Sequence, residues 1–175
     1  LWKNDVKMDA SPVAKKHGNR PSFVYSSQTA PIPAFFPMNF RRATLSDCAL
    51  LADLNHQLIR DEGHRNPMTV SELEQRMRGW LSSEYVTIIF QERDEVVAYA
   101  LYREQPADIY LRQLFVVRDR RRQGIGREAL NILRSQIWPK DKRLTVEVLV
   151  RNTTAVAFWR ALGYRDYALT LEILP

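Results

Sequence analysis

Leu114-Phe-Val-Val-Arg-Asp-Arg-Arg-Arg-Gln-Gly-Ile-Gly-Arg127 runs from an apolar strand through an arginine-rich turn to two glycines that open a helix. Glycine lets backbone N–H groups approach a ligand closely, and the first turn of a helix offers unpaired N–H donors and the positive end of its dipole. Arginine side chains add charge-assisted hydrogen bonds to phosphate oxygens. The stretch therefore reads as a cradle for a pyrophosphate, set between a strand and the helix after it.

Working outward, the strand spans Ile109–Val117. The helix runs from Gly124 to about Ile137, with Ile125, Ala129, Ile132 and Leu133 on its apolar face and Pro139 and Lys140 marking its end. Downstream come a strand over Leu144–Val150, a helix over Thr153–Leu162 stopped by Gly163, and a last strand over Tyr164–Ile173. Upstream, Tyr85–Gln91 and Val96–Arg103 are β-rich runs joined through Glu92–Glu95 as a hairpin. Asn39–Arg42 is a short strand. Ser46 caps a helix to about Arg60 with Leu50, Leu51, Leu54 and Leu58 on one face. Thr69-Val-Ser-Glu72 is a capping box that opens a helix through Leu73, Met77 and Trp80. The order β-α-α-β-β-β-α-β-α-β predicts an α/β (α+β) domain with helices on both faces of a mixed sheet.

The chain has 175 residues, enough for one domain with a substantial core. A single cysteine, Cys48, excludes a disulfide framework and a cysteine-based zinc site, and it reads as a core-facing helix residue. Asp53 and His56 share a helix face without a third ligand, so no metal is predicted. No apolar run approaches the roughly 20 residues that span a bilayer, and no secretory leader is visible, so the expectation is a soluble cytoplasmic protein that binds no membrane. Residues 1–37 hold five of the nine prolines and no amphipathic period, and Met38 stands where the regular pattern begins. This predicts a Pro-rich extension over 1–37, non-native or docked on a partner, and a folded domain over 38–175.

The net charge of +6 divides evenly. Residues 1–37 carry five bases against two acids, and the remainder 21 against 18. The local excess is concentrated in Arg118, Arg120, Arg121, Arg122 and Arg127, opposed only by Asp119. One dense patch suits a small polyanion better than a long nucleic acid, and no aromatics interleave with the arginines; no nucleic-acid partner is expected.

Gly124-x-Gly126-x-x-Ala129 formally fits a dinucleotide fingerprint, but six polar residues, Arg118–Gln123, separate strand from glycine. Fewer than 50 residues follow the helix, too few for a doubly wound domain. Arg121-Arg-Gln-Gly124-Ile-Gly126 instead resembles the acyl-CoA pyrophosphate signature R/Q-x-x-G-x-G/A of the GNAT superfamily of N-acyltransferases. Asn152-Thr-Thr-Ala155-Val-Ala-Phe158-Trp159-Arg-Ala-Leu-Gly163-Tyr164 is similar to that family's last-helix pattern, and Leu114-Phe-Val116 takes the place of its fourth-strand L-A-V. The resemblance covers roughly residues 39–174.

The resemblance implies a single-domain sheet of six to seven strands, with the fourth and fifth splayed around pantetheine. It further implies acetyl-CoA as cosubstrate, direct transfer to the amine of a small molecule or peptide, and a homodimer. The backbone of Leu114, Phe115 and Val116 would pair with pantetheine amides, and an N–H near Val116 would hold the developing oxyanion. Arg121, Arg122, Gln123, Gly124, Ile125, Gly126 and Arg127 would hold the pyrophosphate. Asn152 falls where the family often contacts the cofactor, and an N-cap role explains it equally well. Glu147 is the candidate general base, an outward Glu paired with a neighbouring Arg being the bland reading. Trp159 replaces the tyrosine that often protonates the leaving thiolate; an indole N–H cannot do so, and Trp159 packs on the cofactor or the core, leaving Tyr164 or Tyr110 as candidate acids. Asp61, Glu62 and His64 fall where the acceptor would bind. A CoA-binding regulatory module with little catalysis is the alternative reading that Trp159 supports.

Overall fold

A computed structural model describes residues 37–173. The reading of 1–37 as an extension thus lies, apart from Pro37, outside the described residues. The sheet has five strands: β1 (Asn39–Arg42), β2 (Tyr85–Glu92), β3 (Glu95–Glu104), β4 (Asp108–Val116) and β5 (Arg143–Val146). They lie in sequence order, antiparallel except for the parallel β4–β5 pair.

Side chains alternate across the sheet and define two cores. On one face Tyr85, Ile89, Tyr99, Leu101 and Phe115 pack beneath α1 (Cys48–Glu62) and α2 (Val70–Leu81), against Leu51, Leu54, Leu58 and Met77. On the other, Ile88, Phe90, Ala98, Ala100, Ile109 and Leu111 meet α3 (Ile125–Ile132) and α4 (Thr153–Ala161) through Ile125, Ala129, Leu130 and Trp159. β3, central and covered on both faces, is buried without a break from Val97 to Tyr102. Cys48 is fully buried in the α1 face.

Local chemistry sets the ends. Asp47 accepts a bidentate pair from Arg41 at 2.7 and 2.9 Å and the Thr44 N–H at 2.7 Å, fixing the turn that enters α1. The Arg41 hydrogen bonds hold the Asp47 carboxyl down at about 2, against the opposing effect of its burial. Gly63, at φ 65°, ends α1 in the left-handed conformation that glycine adopts without a Cβ clash. The expected capping box opens α2, with the Thr69 N–H donating to Glu72 Oε2 at 2.7 Å. The β2–β3 hairpin turns through Arg93 and Asp94, both at positive φ.

Four expectations are corrected. Leu50 turns partly to solvent, and Ala52, Asn55 and Ile59 join Leu51, Leu54 and Leu58 on the buried face of α1. The helix from Gly124 changes to a π-turn over Leu133–Ile137, closed by the Trp138 N–H on the Leu133 carbonyl at 2.7 Å. The strand expected over Leu144–Val150 is Arg143–Val146, because its ladder on β4 ends at Leu111–Val146. Residues 164–173 form no strand, so the sheet has five strands rather than six to seven. Their alternation of Tyr167, Leu169, Leu171 and Ile173 is strand-like, yet they pair with no strand among the described residues and all four are exposed, Tyr167 meeting the edge strand β5 through its ring, 5.2 Å from the Arg143 guanidinium. Ion pairs Arg160–Asp166 and Arg65–Glu172 hold this segment instead.

Candidate active site

The site is built by two strands parting. β4 pairs with β5 only from Asp108 to Leu111, then carries one extra residue: Tyr102 faces Leu111 but Leu101 faces Gln113, leaving Arg112 as a bulge. A bulge bends its strand and re-aims the residues beyond it. Past Arg112, β4 stays on β3, while residues 147–149 leave the sheet. The Val117 N–H donates to the Val97 carbonyl at 3.0 Å. Antiparallel alternation then turns the Phe115 N–H and C=O toward β3 and those of Leu114 and Val116 toward the opening. Two of the three residues singled out for backbone pairing thus face the cleft with their polar groups. Phe115 instead packs its ring in the α1 face, centroid 6.1 Å from Tyr99.

The glycine turn closes one end. Arg122 and Gly124 both stand at positive φ, 63° and 85°, around Gln123, a change of backbone hand that directs successive N–H groups into one concavity. The first bond of α3 runs from the Glu128 N–H to the Gly124 carbonyl at 3.0 Å, so the N–H groups of Ile125, Gly126 and Arg127 precede the helical ladder and point out of its N-terminus. The two glycines differ in purpose. A Cβ on Gly124 would meet nothing within 4 Å, so its conformation is what requires glycine. A Cβ on Gly126 would lie 3.3 Å from Phe158 Cζ and 3.5 Å from Val116 Cγ2, so packing of α3 on α4 and β4 requires it. Free N–H groups, opposed backbone hands and two unpaired arginines fit a pyrophosphate.

The arginine run is less cationic in space than in sequence. Asp61, at the end of α1, accepts from Arg118 at 2.6 Å and from Arg121 at 2.5 Å. Burial would raise its carboxyl, but these hydrogen bonds outweigh it and hold the pKa low. Arg121 Nε also donates to the Val116 carbonyl at 2.9 Å, and its guanidinium lies 5.1 Å from the Phe115 ring centroid. Arg120 pairs with Glu92 and, at 3.8 Å, with Glu95. Among the described residues, Arg122 and Arg127 are the members of the run without an ion pair, and both are exposed.

At the other lip, Asn152 caps α4, its Oδ1 accepting the Ala155 N–H at 3.1 Å. A cavity of about 440 Å³ lies between the end of α1 and the start of α4, lined by Asp61, Glu62, Gly63, Arg151, Asn152 and Thr153 among others. Arg151 donates to the Gly63 carbonyl across it. Burial, then repulsion from Asp61, pushes the Glu62 carboxyl up. His64 is exposed, its Nδ1 accepting the Asn66 N–H at 3.1 Å.

Glu147 stands one residue past the end of β5 and accepts the Tyr110 hydroxyl at 2.9 Å. Burial first and the Glu147 hydrogen bond second push Tyr110 up to about 12, so it donates that proton and keeps it. Trp159 is buried in the α3–α4 core, edge-on to Phe158 and Tyr164 at 5.0 and 5.1 Å. Burial likewise pushes Tyr164 up to about 12. The sequence reading missed Arg76, Trp80 and Arg112, which cluster beside Tyr110. A signal for the bulge was present: apolar residues facing α3 fall at 109 and 111, then 114 and 116, a phase slip of one residue.

Parting parallel strands beside a glycine turn at a helix N-terminus define an acyltransferase-like α/β domain. The profile of the Acetyltransferase (GNAT) family matches residues 51–164, well over half of the chain, and the protein belongs to that family. No curated protein matches its sequence. Solved structures share the fold. An aminoglycoside N-acetyltransferase in complex with CoA is 14% identical over 82% of this chain and 98% of its own, with a TM-score of 0.66. A predicted acetyltransferase with acetyl-CoA from Clostridium acetobutylicum is 19% identical over 79% and 96%, at 0.62. An acetyltransferase from Thermus thermophilus is 20% identical over 73% and 86%, also at 0.62. Among the described residues, no helix is long and apolar enough to cross a membrane.

Proposed function

We propose that this protein transfers the acetyl group of acetyl-CoA directly to an amine of a small molecule or peptide. The observation that carries the reading is the parting of β4 from β5, which turns the Leu114 and Val116 backbone into a cleft ending at the glycine turn. Acetyl-CoA supplies an activated thioester. Leu114 and Val116 bind its pantetheine arm in place of the missing strand, with the arm's polar groups taking the Leu114 N–H and C=O, the Val116 carbonyl being held by Arg121. The turn Arg122–Arg127 receives the pyrophosphate.

Glu147, held by Tyr110, takes a proton from the acceptor ammonium, and the freed amine attacks the thioester carbonyl. The Val116 N–H stabilises the oxyanion, and the carbon–sulfur bond then breaks. No tyrosine occupies the position of Trp159 to protonate the sulfur, and a thiol ionises near ~8.5, so the thiolate departs unassisted at neutral pH.

Calorimetric titration with acetyl-CoA, with NADPH as the matched phosphorylated control, tests the cradle. Micromolar-range binding of acetyl-CoA alone, followed by release of free CoA thiol on adding an amine, is the expected result. Binding without turnover on any amine would favour a CoA-responsive module, the reading that the buried Trp159 supports. Binding of neither would remove the basis for both.

A further inference from the structure

Nearly half of the described arginines are answered by acids. Arg41, Arg65, Arg78, Arg103, Arg118, Arg120, Arg121, Arg143 and Arg160 each have a carboxylate within 4.0 Å. Arg76 on α2 and Arg112 at the β4 bulge do not, yet they stand together. Their guanidinium carbons lie 4.7 and 5.0 Å from the same ring centroid, that of Trp80, and hence less than 10 Å apart. Arg76 is half-buried, its Nε is shielded from solvent without a hydrogen-bond partner, and burial and the neighbouring Arg112 both pull its pKa down. Two like charges held together on one indole, one of them partly desolvated, are an arrangement a monomer alone does not favour. Cation–π attraction to Trp80 offsets part of the cost and leaves the planar N–H forks free.

The cluster adjoins the reacting centre. Arg112 lies two residues from Tyr110 on the same strand, and Tyr110 holds Glu147. The bulge makes this placement possible, because it turns both Arg112 and Gln113 to the helix face: Arg112 reaches Trp80 of α2, and Gln113 Nε2 reaches Asn55 Oδ1 of α1 at 2.8 Å. An acceptor with its amine at Glu147 would extend a substituent over this face.

We propose that the acceptor carries an anionic group, a carboxylate or a phosphate, beside its amine, and that Arg76 and Arg112 bind it over the face of Trp80. The proposal rests on the acetyltransferase reading and narrows it: polycationic amines are rejected by the paired guanidinium charges of Arg76 and Arg112, and Asp61 is already bound by Arg118 and Arg121.

The test uses the full chain with CoA bound and titrates it with L-amino acids, the matching amino-acid amides, O-phosphoethanolamine and spermidine, by calorimetry and by CoA release. Acids should bind at least roughly tenfold more tightly than their amides, as expected for loss of a charge-assisted pair. The amino-acid and phosphoethanolamine arms decide between carboxylate and phosphate. Arg112→Gln, at an exposed position, should raise KM for the anionic acceptor by a similar factor with kcat and acetyl-CoA affinity unchanged, while KM for the amide moves little. Arg76→Lys, which keeps charge but loses the fork, should give an intermediate loss. Amides or spermidine binding as well as acids, or no amine binding at all, overturns the proposal while bound acetyl-CoA keeps the cradle. Acids that bind without turnover uphold the anion site and refute the enzyme reading. Failure of acetyl-CoA itself to bind refutes both.

Discussion

Two groups of arginines in this protein invert what their sequence suggests. The run from Arg118 to Arg127 looks like a block of positive charge, yet three of its five members are tied to Asp61, Glu92 and Glu95 and serve to fasten the turn to α1 and the hairpin. Arg76 and Arg112, 36 positions apart and inconspicuous in the sequence, converge on one indole with no carboxylate between them. Charge density along the chain is a poor guide to charge available to a ligand, because the opposing charges come from distant elements.

The largest effect should come from the proposed base, held by Tyr110 two residues from Arg112. Glu147→Gln is expected to lower kcat on the order of a hundredfold or more, the usual worth of a positioned base. It should leave acetyl-CoA affinity intact, as a steady-state assay paired with calorimetry will show. A change below threefold would move the base elsewhere. Next comes Gly126→Val, which drives side-chain atoms toward Phe158 and Val116 and should cost ~1–3 kcal/mol of unfolding free energy in a denaturant melt. Gly124→Ala meets no neighbour and should cost only about 1 kcal/mol, from its positive φ.

Within the arginine run, Arg122→Gln combined with Arg127→Gln should weaken acetyl-CoA binding roughly tenfold, in a salt-dependent way. Arg118→Gln should change affinity less than about twofold, because that side chain already serves Asp61. Equal losses from both would erase the contrast between paired and free arginines. A last test concerns a pair outside both clusters. The Asp47 carboxyl sits at about 2 when folded, below its unfolded value near 4, so its contribution is complete above pH 4 and disappears as pH falls from 4 toward 2. Discounted for the exposure of Arg41, that contribution is about 1–2 kcal/mol. Wild type and Asp47→Asn should differ by this amount at pH 7 and converge near pH 2 in chemical melts.

Much of the fold was legible in the sequence. The hairpin, the Thr69 capping box, the glycine turn and the Asn152 cap arise from local patterns that the surrounding structure does not override. Residues 164–173 misled because alternation records that a strand would be amphipathic, not that it pairs: among the described residues the outer edge of β5 stays unpaired and these side chains stay exposed. The early end of β5 was hidden because Leu144–Val150 stays apolar after its ladder stops, as the wall of a cleft would. Asp61 was placed at the acceptor side, but its occupation by two arginines 57 and 60 residues away lay beyond any local pattern.

The extra residue at Arg112 acts as a parity switch. Had the ladder run on without a bulge, Leu101 would face Arg112, and Leu114 would fall opposite Tyr99 in place of Phe115. The side chains of Leu114 and Val116 would then turn to the α1 face, while their N–H and C=O groups turned inward to β3. The cleft would lose its apolar lining and its polar edge in one step, with every residue type still present. What makes this sheet a binding site is thus its register, shifted by one residue at Arg112, a property that no single side chain carries.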